Sequence, residues 1–441
     1  MLPTNTDVLI VGAGPTGLAL AVSLRQAGID HLLVDALPEG QNSSRAAVIH
    51  SHTLEALDEL GIAGTLKAQG ILLSRFAIRD RDRPLLEVGF DDLPSAHKAM
   101  LMVPQSTTEA LLAERLQALG GRVHRGVRAV AIGEAPGGAE VRLRTGEQEQ
   151  SVHARYVVGG DGMHSVVRQA ARIGFEGAAY AESFVLADVT MAWPLGPTEV
   201  SLFFAPAGLL VVAPLPGGSY RIVATLDDAP PVPGIADIQA LVDSRGPSGA
   251  GRVGEVIWAS RFHVHHRLAQ TYRRGPFLLM GDAAHVHSPA GGQGMNTGLV
   301  DAVVLGRALA RVLSGEAGDG LLDEYSSLRR PAAEQVLGLA GRLTRAATLR
   351  SWPARMVRNL ILRILNRSAS FERTMKMNLS GLARRASAEL PPAAARIGLT
   401  ARGPAAKGLS CSTSTRSRSA SAGGPSSTAR PLRCRRAAAS G

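Results

Sequence analysis

The sequence Val8-Leu9-Ile10-Val11-Gly12-Ala13-Gly14-Pro15-Thr16-Gly17 decides the fold of this chain. Its first four residues form a short apolar run typical of a buried β-strand, and the apolar stretch from Leu18 to Ala27 after the glycines is typical of a helix. Strand, glycine turn and helix in this order form the G-x-G-x-x-G fingerprint of a dinucleotide-binding βαβ unit. We therefore predict a Rossmann-like domain in this part of the sequence.

Each glycine of the fingerprint has a physical role. Gly12 permits the tight turn, Gly14 lets the backbone approach a pyrophosphate, and Gly17 allows close packing of the helix. The free N–H groups at the start of the helix attract the negative charge of the pyrophosphate. The sequence therefore predicts a dinucleotide site formed by Gly12, Gly14, Pro15, Thr16 and Gly17.

A second apolar run, Leu32 to Val34, ends at Asp35. A carboxylate at this position binds a ribose 2′-hydroxyl and repels a 2′-phosphate. Another G-x-G-x-x-G, from Gly249 to Gly254, lacks a preceding strand, and the strand-like Val256 to Trp258 follows where a helix is needed. We interpret that copy as a loop, which leaves one nucleotide-binding fingerprint.

The net positive charge of the chain lies mainly in its last fifty residues. The formal net charge is +11, but nine Lys or Arg residues follow the last acidic residue, Glu389, so residues 1–389 carry only +2 (11 − 9). No basic face is implied there, and we expect no nucleic-acid partner. Both cysteines, Cys411 and Cys434, lie in the same tail, which excludes thiol redox chemistry and thiolate metal ligands elsewhere.

Neither a metal site nor a membrane span is expected. No matched carboxylate or cysteine accompanies the clustered histidines, which we interpret as pocket or core residues: His263, His265, His266, His285 and His287. The apolar stretch from Val8 to Leu24 is interrupted by glycines and a proline and has no Lys or Arg before it. It is therefore neither a signal peptide nor a membrane span, and a cytoplasmic protein without a membrane partner is the simplest interpretation.

Two further apolar runs end in Gly-Asp turns. Tyr156 to Val158 leads into Gly159-Gly160-Asp161-Gly162, and Phe277 to Met280 leads into Gly281-Asp282-Ala283-Ala284-His285. The second turn is followed by Pro289-Ala290-Gly291-Gly292-Gln293-Gly294-Met295-Asn296. Taken singly, each turn is equally well explained as an ordinary αβ turn in which the Asp binds its own backbone.

The three glycine motifs, in this order and at this spacing, resemble those of the para-hydroxybenzoate hydroxylase family of flavoprotein monooxygenases. The likeness is greatest to actinobacterial members that act on polyphenols and aromatic polyketides, and it extends over about residues 5–385. The resemblance implies an α/β (α+β) fold. A Rossmann-like FAD-binding domain of the glutathione reductase type would carry an inserted, mostly antiparallel β-sheet domain for the substrate, followed by C-terminal helices.

The resemblance also implies roles for individual residues. The first motif and Asp35 would bind the adenosine part of FAD, Asp161 and Gly162 would lie near its pyrophosphate and the path of NAD(P)H, and Asp282 would bind the ribityl chain. Arg45 and Pro289 are the candidate catalytic residues. Further FAD contacts are implied for Arg45, Gln105, Gly281, Pro289, Gly291, Gly292, Gly294, Met295 and Asn296.

The glycine loop before Met295 has an independent physical argument. Reduced flavin carries negative charge near N1 and C2=O and needs hydrogen-bond donors aimed at that part of the ring. Gly291, Gly292 and Gly294 leave backbone N–H groups uncovered, and the segment from Met295 to Leu313 is predicted to be a helix whose N-terminus carries about +0.5 charge. We therefore expect the isoalloxazine ring to lie against this loop.

The activity implied by the resemblance is hydroxylation of a phenolic or polyketide-type aromatic molecule, as in antibiotic biosynthesis. NADH or NADPH would reduce the FAD, O2 would form a flavin C4a-hydroperoxide, and an electron-rich ring would attack its distal oxygen. Tyr220, Arg221 and His263 are conceivable participants in ionising the substrate, and the sequence does not choose a general base among them.

Two alternatives stay open from the sequence. One is an FAD-binding remnant without activity. The other is a flavin halogenase or another flavin oxidoreductase. Against a halogenase, Trp193, Trp258 and Trp352 are isolated and do not form the Trp-x-Trp-x-Ile-Pro segment of those enzymes.

Changes of pattern along the chain predict its organisation. Residues 1–175 and 273–320 would form the FAD-binding domain, residues 176–272 the substrate-binding β-sheet domain, residues 321–389 C-terminal helices and residues 390–441 a disordered basic tail. The apolar stripe within Leu349 to Arg367 is expected to pack against the body of the protein or another subunit rather than on a membrane surface, and a homodimer is compatible with this.

Overall fold

The computed structural model describes residues 2–40, 46–226, 229–249, 251–288, 291–349 and 351–392. Two residues with a predicted catalytic role, Arg45 and Pro289, lie outside the described residues. The same holds for the predicted tail from residue 393 onward.

The described residues form both strands and helices. The strands are β1 (Asn5–Val11), β2 (His31–Asp35), β3 (Val48–Ile49), β4 (Ile71–Leu73), β5 (Arg75–Asp80), β6 (Arg83–Gly89), β7 (Met100–Met102), β8 (Val123–Arg125), β9 (Val127–Ala135), β10 (Gly138–Thr145), β11 (Gln148–Gly159), β12 (Phe175–Met191), β13 (Glu199–Ala205), β14 (Gly208–Leu215), β15 (Ser219–Thr225), β16 (Val253–Ala269), β17 (Arg273–Arg274), β18 (Phe277–Leu279) and β19 (His285–Val286). The α-helices are α1 (Pro15–Gln26), α2 (Ser51–Glu59), α3 (Ala63–Gln69), α4 (Gln105–Ala118), α5 (Val166–Ala170), α6 (Ile235–Arg245), α7 (Gly294–Leu313), α8 (Leu321–Ala347), α9 (Trp352–Leu365) and α10 (Ala369–Leu379). Short 3-10 helices occupy Gly281–Ala283 and Leu382–Ala388.

The first sheet is parallel at its centre. Its strand order is β17-β18-β11-β1-β2-β8, and the antiparallel pair β9 and β10 is attached beside β11. β1 pairs in parallel with β2 and β11, and β11 pairs in parallel with β18. Because the carboxyl ends of parallel strands meet at one edge of a sheet, the glycine turns after β1, β11 and β18 lie side by side.

Burial explains why β1 is apolar at almost every position. Val8, Leu9 and Ile10 are fully buried, as expected for a central strand that helices cover. α1 and α7 contact each other so closely that a Cβ added to Gly306 would lie 2.2 Å from the hydroxyl oxygen of Ser23. The two helices that follow glycine motifs are therefore held at a fixed separation on this sheet.

The second sheet is antiparallel apart from one strand pair. Its order is β19-β16-β12-β15-β14-β13-β5-β6, and only β13 and β5 run in parallel among the described pairs. β5 and β6 belong to this sheet although they come from within residues 1–175, which the sequence assigns to the FAD-binding domain. The domain boundaries themselves stay a prediction.

The two faces of the second sheet have different partners because side chains alternate along a strand. On one face, Val185, Phe203 and Ile222 form a buried cluster with Ile238 of α6. On the other face, side chains such as Leu186, Leu202 and Val223 line a large cavity. A residue's position along its strand therefore decides whether it belongs to the core or to the cavity.

The apolar stripe of α9 is exposed rather than packed on the body of the protein, which is one of the two packing partners expected for it. Arg358 points inward, where its guanidinium donates to the carbonyl oxygens of Ala346 at 2.8 Å and Phe204 at 3.1 Å. The opposite side is exposed and carries Trp352, Met356, Val357, Leu360, Ile361 and Ile364. The carbonyl oxygens beneath the helix need a donor, which Arg358 supplies, while Leu362 packs on a buried apolar cluster. In the described part of the chain, no helix combines the length and apolarity that crossing a membrane requires.

Candidate active site

A cavity of about 770 Å³ lies at the carboxyl ends of the parallel strands and extends over the second sheet. Most of the predicted cofactor-binding residues line it: Gly12, Gly14, Pro15, Thr16, Asp35, Gln105, Asp161, Gly162, Asp282, Gly291, Gly292, Gly294 and Met295. Gly17, Gly281 and Asn296 lie behind this wall. The three separate sequence motifs therefore meet in one cavity.

The first glycine turn is closed by the second. Gly12 has a φ of 101°, and a Cβ there would lie 2.4 Å from the carbonyl oxygen of Gly160. A Cβ on Gly17 would lie 1.9 Å from the carbonyl oxygen of Gly12. A Cβ on Gly14 would meet nothing within 4 Å and would project into open space. Gly12 and Gly17 thus serve the turn, and Gly14 keeps space free for a ligand.

α1 presents its N-terminus to the cavity. Its N-cap is Gly14, and no side chain among the described residues caps the first turn. Free N–H groups and the positive end of the helix dipole suit a phosphate group. The turn therefore fits the pyrophosphate of a dinucleotide.

Asp35 is held at the end of β2 by two backbone donors. Its carboxylate accepts hydrogen bonds from the N–H of Ala13 at 2.7 Å and of Leu37 at 2.8 Å. Each carboxylate oxygen can accept a second hydrogen bond, and the side chain lies on the cavity wall. This geometry suits a ribose hydroxyl.

Gln105, the first residue of α4, is fixed by its neighbours. Its side-chain amide donates to Glu109 at 2.8 Å, and its side-chain oxygen accepts from the N–H of Ala46 at 3.3 Å. Burial raises the pKa of Glu109. Glu109, Arg125 and Arg128 also line the cavity, and the sequence analysis missed them because no local motif marks them.

Asp161 lines the cavity and is held by the turn that follows it. Its Oδ2 accepts from the N–H of Val166 at 2.7 Å. Its Oδ1 is buried and has no hydrogen-bond partner among the described residues. Burial raises the pKa of this carboxyl group. Because Oδ1 is buried, a ligand in the cavity does not reach this oxygen.

A buried ionic network supports the turn that carries Asp282. Asp301, fully buried in α7, accepts from the N–H of Gly281 at 3.2 Å, from His285 at 2.7 Å and from Arg329 at 2.7 Å. Burial by itself would raise the pKa of Asp301, but Arg329 and His285 lower it below its ordinary value. The sequence analysis missed this network, whose one signal is a lone acidic residue within an apolar helix.

The third glycine loop brings the N-terminus of α7 to the cavity. Gly291 and Gly292 have φ values of 95° and 62°, and α7 begins at Gly294, one residue before the predicted start. Asn296 holds the loop from behind, since its side-chain amide donates to the carbonyl oxygens of Val48 and Gly292, both at 2.8 Å. Backbone N–H groups and the positive helix end therefore face one region of the cavity.

The part of the cavity over the second sheet is mostly apolar. Its lining includes Phe76, Met102, Leu202, Val211, Val223 and Phe262. Arg221 lies on the same face and forms an ion pair with Asp188. This part suits a flat apolar ring, with one positive charge beside it.

The residues considered for ionising the substrate do not all lie on the cavity face of the sheet. Arg221 lines the cavity, whereas Tyr220 packs on the opposite face of the sheet, with its ring centroid 6.4 Å from that of Trp193. The suggestion that Tyr220 takes part is therefore wrong, because successive side chains of β15 point to opposite faces. The side chain of His263 lies outside the described residues.

The histidines that are clustered in the sequence lie in different environments. His285 belongs to the Asp301 network, and His265 and His287 line the cavity. Burial lowers the pKa of His287 to about 4. Within the residues that the structure describes, no group of three or more His, Cys, Asp or Glu side chains is arranged to hold a metal ion.

This chain belongs to the family described as FAD binding domain, whose model matches residues 5–340. That match confirms the resemblance inferred from the three glycine motifs and identifies FAD as the cofactor of the family. The cavity fits this cofactor, since it offers a helix N-terminus for phosphates, the Asp35 carboxylate for a ribose hydroxyl and a glycine loop for a ring.

Individual relatives are monooxygenases by name. The chain is 33% identical over 362 residues to a 6-methylpretetramide 4-monooxygenase from Streptomyces rimosus, covering 79% of this chain and 64% of that protein. It is 33% identical over 348 residues to a pentachlorophenol 4-monooxygenase from Sphingobium chlorophenolicum, covering 76% and 63%. The chain thus spans slightly less than two thirds of the length of these two relatives.

A solved structure supports the fold class. The structure of an anhydrotetracycline hydroxylase from Streptomyces rimosus matches with a TM-score of 0.72 and 33% identity, covering 86% of this chain and 76% of that chain. The predicted fold, a Rossmann-like FAD-binding domain with a mostly antiparallel β-sheet domain, is thereby confirmed.

Proposed function

We propose that this protein is an FAD-dependent monooxygenase that uses NADH or NADPH and O2 to hydroxylate an aromatic small molecule. One observation carries the proposal: the three glycine turns and the N-terminus of α7 line the same cavity as the apolar face of the second sheet. A cofactor and a flat apolar substrate can therefore meet in one enclosed space. The bound flavin would supply the redox chemistry.

The assignment of residues to parts of the FAD follows the cavity wall. The N–H groups at the start of α1 would bind the pyrophosphate, Asp35 a ribose hydroxyl, and Asp282 the hydroxyls of the ribityl chain. Gly291 to Gly294 and the start of α7 would donate to the anionic edge of the reduced ring. These donors are fixed before the reaction, so they stabilise the developing charge without reorganising. Arg45 and Pro289 stay predicted catalytic residues.

The proposed substrate is a phenolic or polyketide-type molecule. The names of the relatives support this class, since pentachlorophenol is a phenol and the tetracycline precursors are polycyclic aromatics. The apolar half of the cavity would exclude water from the reacting ring. Exclusion of water prevents the hydrolysis of reactive intermediates. We place the reaction in antibiotic or other secondary metabolism, in the cytoplasm.

A homodimer is the proposed assembly. The exposed apolar side of α9 is the largest such group of side chains on any one described element. A second copy of the chain can bury it across a twofold axis.

The test is an oxygen-tracing assay with the purified protein. A panel of phenols, naphthoquinones and polycyclic polyketides is incubated with NADPH or NADH under labelled dioxygen. We expect at least one compound to accelerate NAD(P)H oxidation and to gain one labelled oxygen atom. Incorporation from labelled water, or FAD binding without any accelerated turnover across the panel, would contradict the proposal.

A further inference from the structure

Gln293 connects the third glycine loop to the C-terminal segment of the described chain. It is the N-cap residue of α7 and lines the cavity between Gly292 and Gly294. Its side-chain amide nitrogen donates to the carbonyl oxygen of Leu379 at 3.3 Å, and its side-chain oxygen accepts from Nη2 of Arg384 at 2.9 Å. The start of α7 is therefore tied to the residues around the end of α10.

Arg384 is a buried cation whose hydrogen-bond acceptors are neutral. It lies in the 3-10 helix Leu382–Ala388 and is 7% exposed. Besides the bond to Gln293, its Nη2 donates to the carbonyl oxygen of Asn378 at 3.3 Å. In the part of the chain that the structure describes, no Asp or Glu forms an ion pair with Arg384. Burial and the neighbouring Arg329 lower the pKa of Arg384 to about 10, so the guanidinium still carries its charge at neutral pH.

The described surroundings of Arg384 do not neutralise its charge. A second cation nearby, Arg329, is bound to Asp301. Burial lowers the pKa of His50, whose ring nitrogen lies 3.2 Å from the side-chain amide of Gln293, to about 4, so His50 is neutral. The start of α7 carries about +0.5 charge, and a cation is unfavourable at this end of a helix. Two positive groups therefore meet at the third glycine loop, and a negative charge on a ligand there would offset both.

We propose that Arg384 raises the reduction potential of the bound FAD, by holding the start of α7 through Gln293 and by placing a positive charge behind the third glycine loop. This inference rests on the position of the isoalloxazine ring against that loop, which is part of the proposed function, and it does not depend on the substrate. Oxidation of NAD(P)H to NAD(P)+ moves a hydride, that is two electrons and one proton, to a neutral ring, so one negative charge stays on the ring. A nearby positive charge in an interior poor in water stabilises the reduced form more than the oxidised form.

Arg384 acts from outside the cavity. It is not among the residues that line the cavity, and its guanidinium reaches the loop through the side chain of Gln293. Arg384 is therefore a positioning residue rather than a catalytic one. A merely structural role would change the stability of the protein and its affinity for oxidised and reduced FAD alike, whereas the proposed role changes the ratio of these two affinities.

Three substitutions of Arg384 separate its charge from its hydrogen bond. Arg384→Lys keeps a positive charge and a donor, Arg384→Gln keeps a donor without a charge, and Arg384→Met removes both. Arg358→Met is the matched control, since Arg358 is also 7% exposed and donates to the carbonyl oxygens of Ala346 and Phe204. Arg358 lies on α9 and does not line the cavity.

The experiment measures the two-electron reduction potential of FAD bound to each protein, by anaerobic titration against a reference dye and without any aromatic substrate. The affinity for oxidised FAD and the melting temperature are recorded for the same proteins. We expect Arg384→Gln and Arg384→Met to lower the equilibrium constant for reduction about tenfold, equivalent to about 30 mV for a two-electron couple, with less than about a threefold change in affinity for oxidised FAD. Arg384→Lys and Arg358→Met should keep the potential of the parent protein.

A potential that stays at the parent value in Arg384→Gln would overturn the inference, and so would an equal decrease in Arg384→Lys and Arg384→Gln. If Arg384→Met does not fold, the comparison of Arg384→Lys with Arg384→Gln still decides. Turnover is measured separately on the same proteins. Absence of hydroxylation of any aromatic compound would contradict the proposed function, while a potential that is decreased in Arg384→Gln and kept in Arg384→Lys would still support the role of Arg384. Hydroxylation by the parent together with an unchanged potential in Arg384→Gln would have the opposite meaning.

Discussion

At the scale of single residues, two aspartates of the site differ in surroundings and therefore in role. Asp282 is exposed on the cavity wall, whereas Asp301 is fully buried behind it and bound to Gly281, His285 and Arg329. A buried carboxylate paired with an arginine is a structural group, since removal of Arg329 would leave a buried charge uncompensated. Asp282 lines the cavity, where a ligand can contact it.

This difference leads to a prediction for Asp282→Ala. The variant should bind FAD about 10- to 100-fold more weakly, because hydroxyl groups lose a charged acceptor worth about 1.5–3 kcal/mol. The dissociation constant for FAD, from the quenching of flavin fluorescence on the apoprotein, checks this. Asp91→Ala, on an exposed loop away from the cavity, is the control, and equal FAD affinity of the two variants would remove Asp282 from the site.

At the scale of elements, the site depends on turns that require glycine. Each glycine is needed for its backbone conformation and for a close contact with another element. Gly281 has a φ of 57°, and a Cβ there would lie 2.8 Å from the hydroxyl oxygen of Thr16. Gly292 has a φ of 62°, and its Cβ would lie 2.1 Å from a methyl carbon of Val48. Each of these turns combines a backbone conformation with close contact to another element, so it holds two parts of the cavity wall together.

Gly292→Ala tests the contact between the third glycine loop and β3. The added methyl group should displace the loop from Val48 and lower FAD retention, with a loss of stability of roughly 1–3 kcal/mol from overpacking and strain. Gly217→Ala is matched, because Gly217 has a φ of 81° on the hairpin between β14 and β15 but meets nothing within 4 Å.

Thermal unfolding and FAD content of the two alanine variants separate strain from contact. Both variants should lose some stability from the left-handed backbone, and only Gly292→Ala should release FAD. Retention of FAD by Gly292→Ala at the level of Gly217→Ala would show that this loop does not contact the cofactor.

At the scale of the whole molecule, α9 exposes a group of large apolar side chains. Its inward side is polar through Arg358, and its outward side carries six exposed large apolar residues. An apolar patch of this kind marks an interaction surface in a soluble protein. The proposed homodimer would bury it.

Ile361→Lys tests this assembly. Ile361 is 49% exposed on α9, and a lysine there should weaken self-association by more than about tenfold, since a charge would have to be buried in an apolar interface. Ile257→Lys is the control, because Ile257 is 55% exposed but lies on β16. Sedimentation equilibrium of both variants and the parent measures the association constant. A monomeric parent protein would refute the homodimer.

The sequence by itself determined the nucleotide-binding fold and the glycine turns on one side of the cavity. Gly12, Asp161 and Gly292 belong to motifs in which a strand, a turn and a helix follow within a few residues. Such local patterns can be recognised in the sequence, because they consist of glycines at fixed spacing and of hydrophobic periodicity. The domain boundaries and the roles of Arg45 and Pro289 stay predictions.

Only the tertiary structure decided which residues that are distant in sequence contact each other or face the same cavity. It paired Arg329 with Asp301 across 28 positions, assigned β5 and β6 to the second sheet, and placed Arg221 on the cavity face and Tyr220 on the opposite one. It also turned the apolar side of α9 outward. These outcomes depend on long-range packing, where strand order and register set which side chains meet, and a one-residue shift would exchange the two faces of a strand.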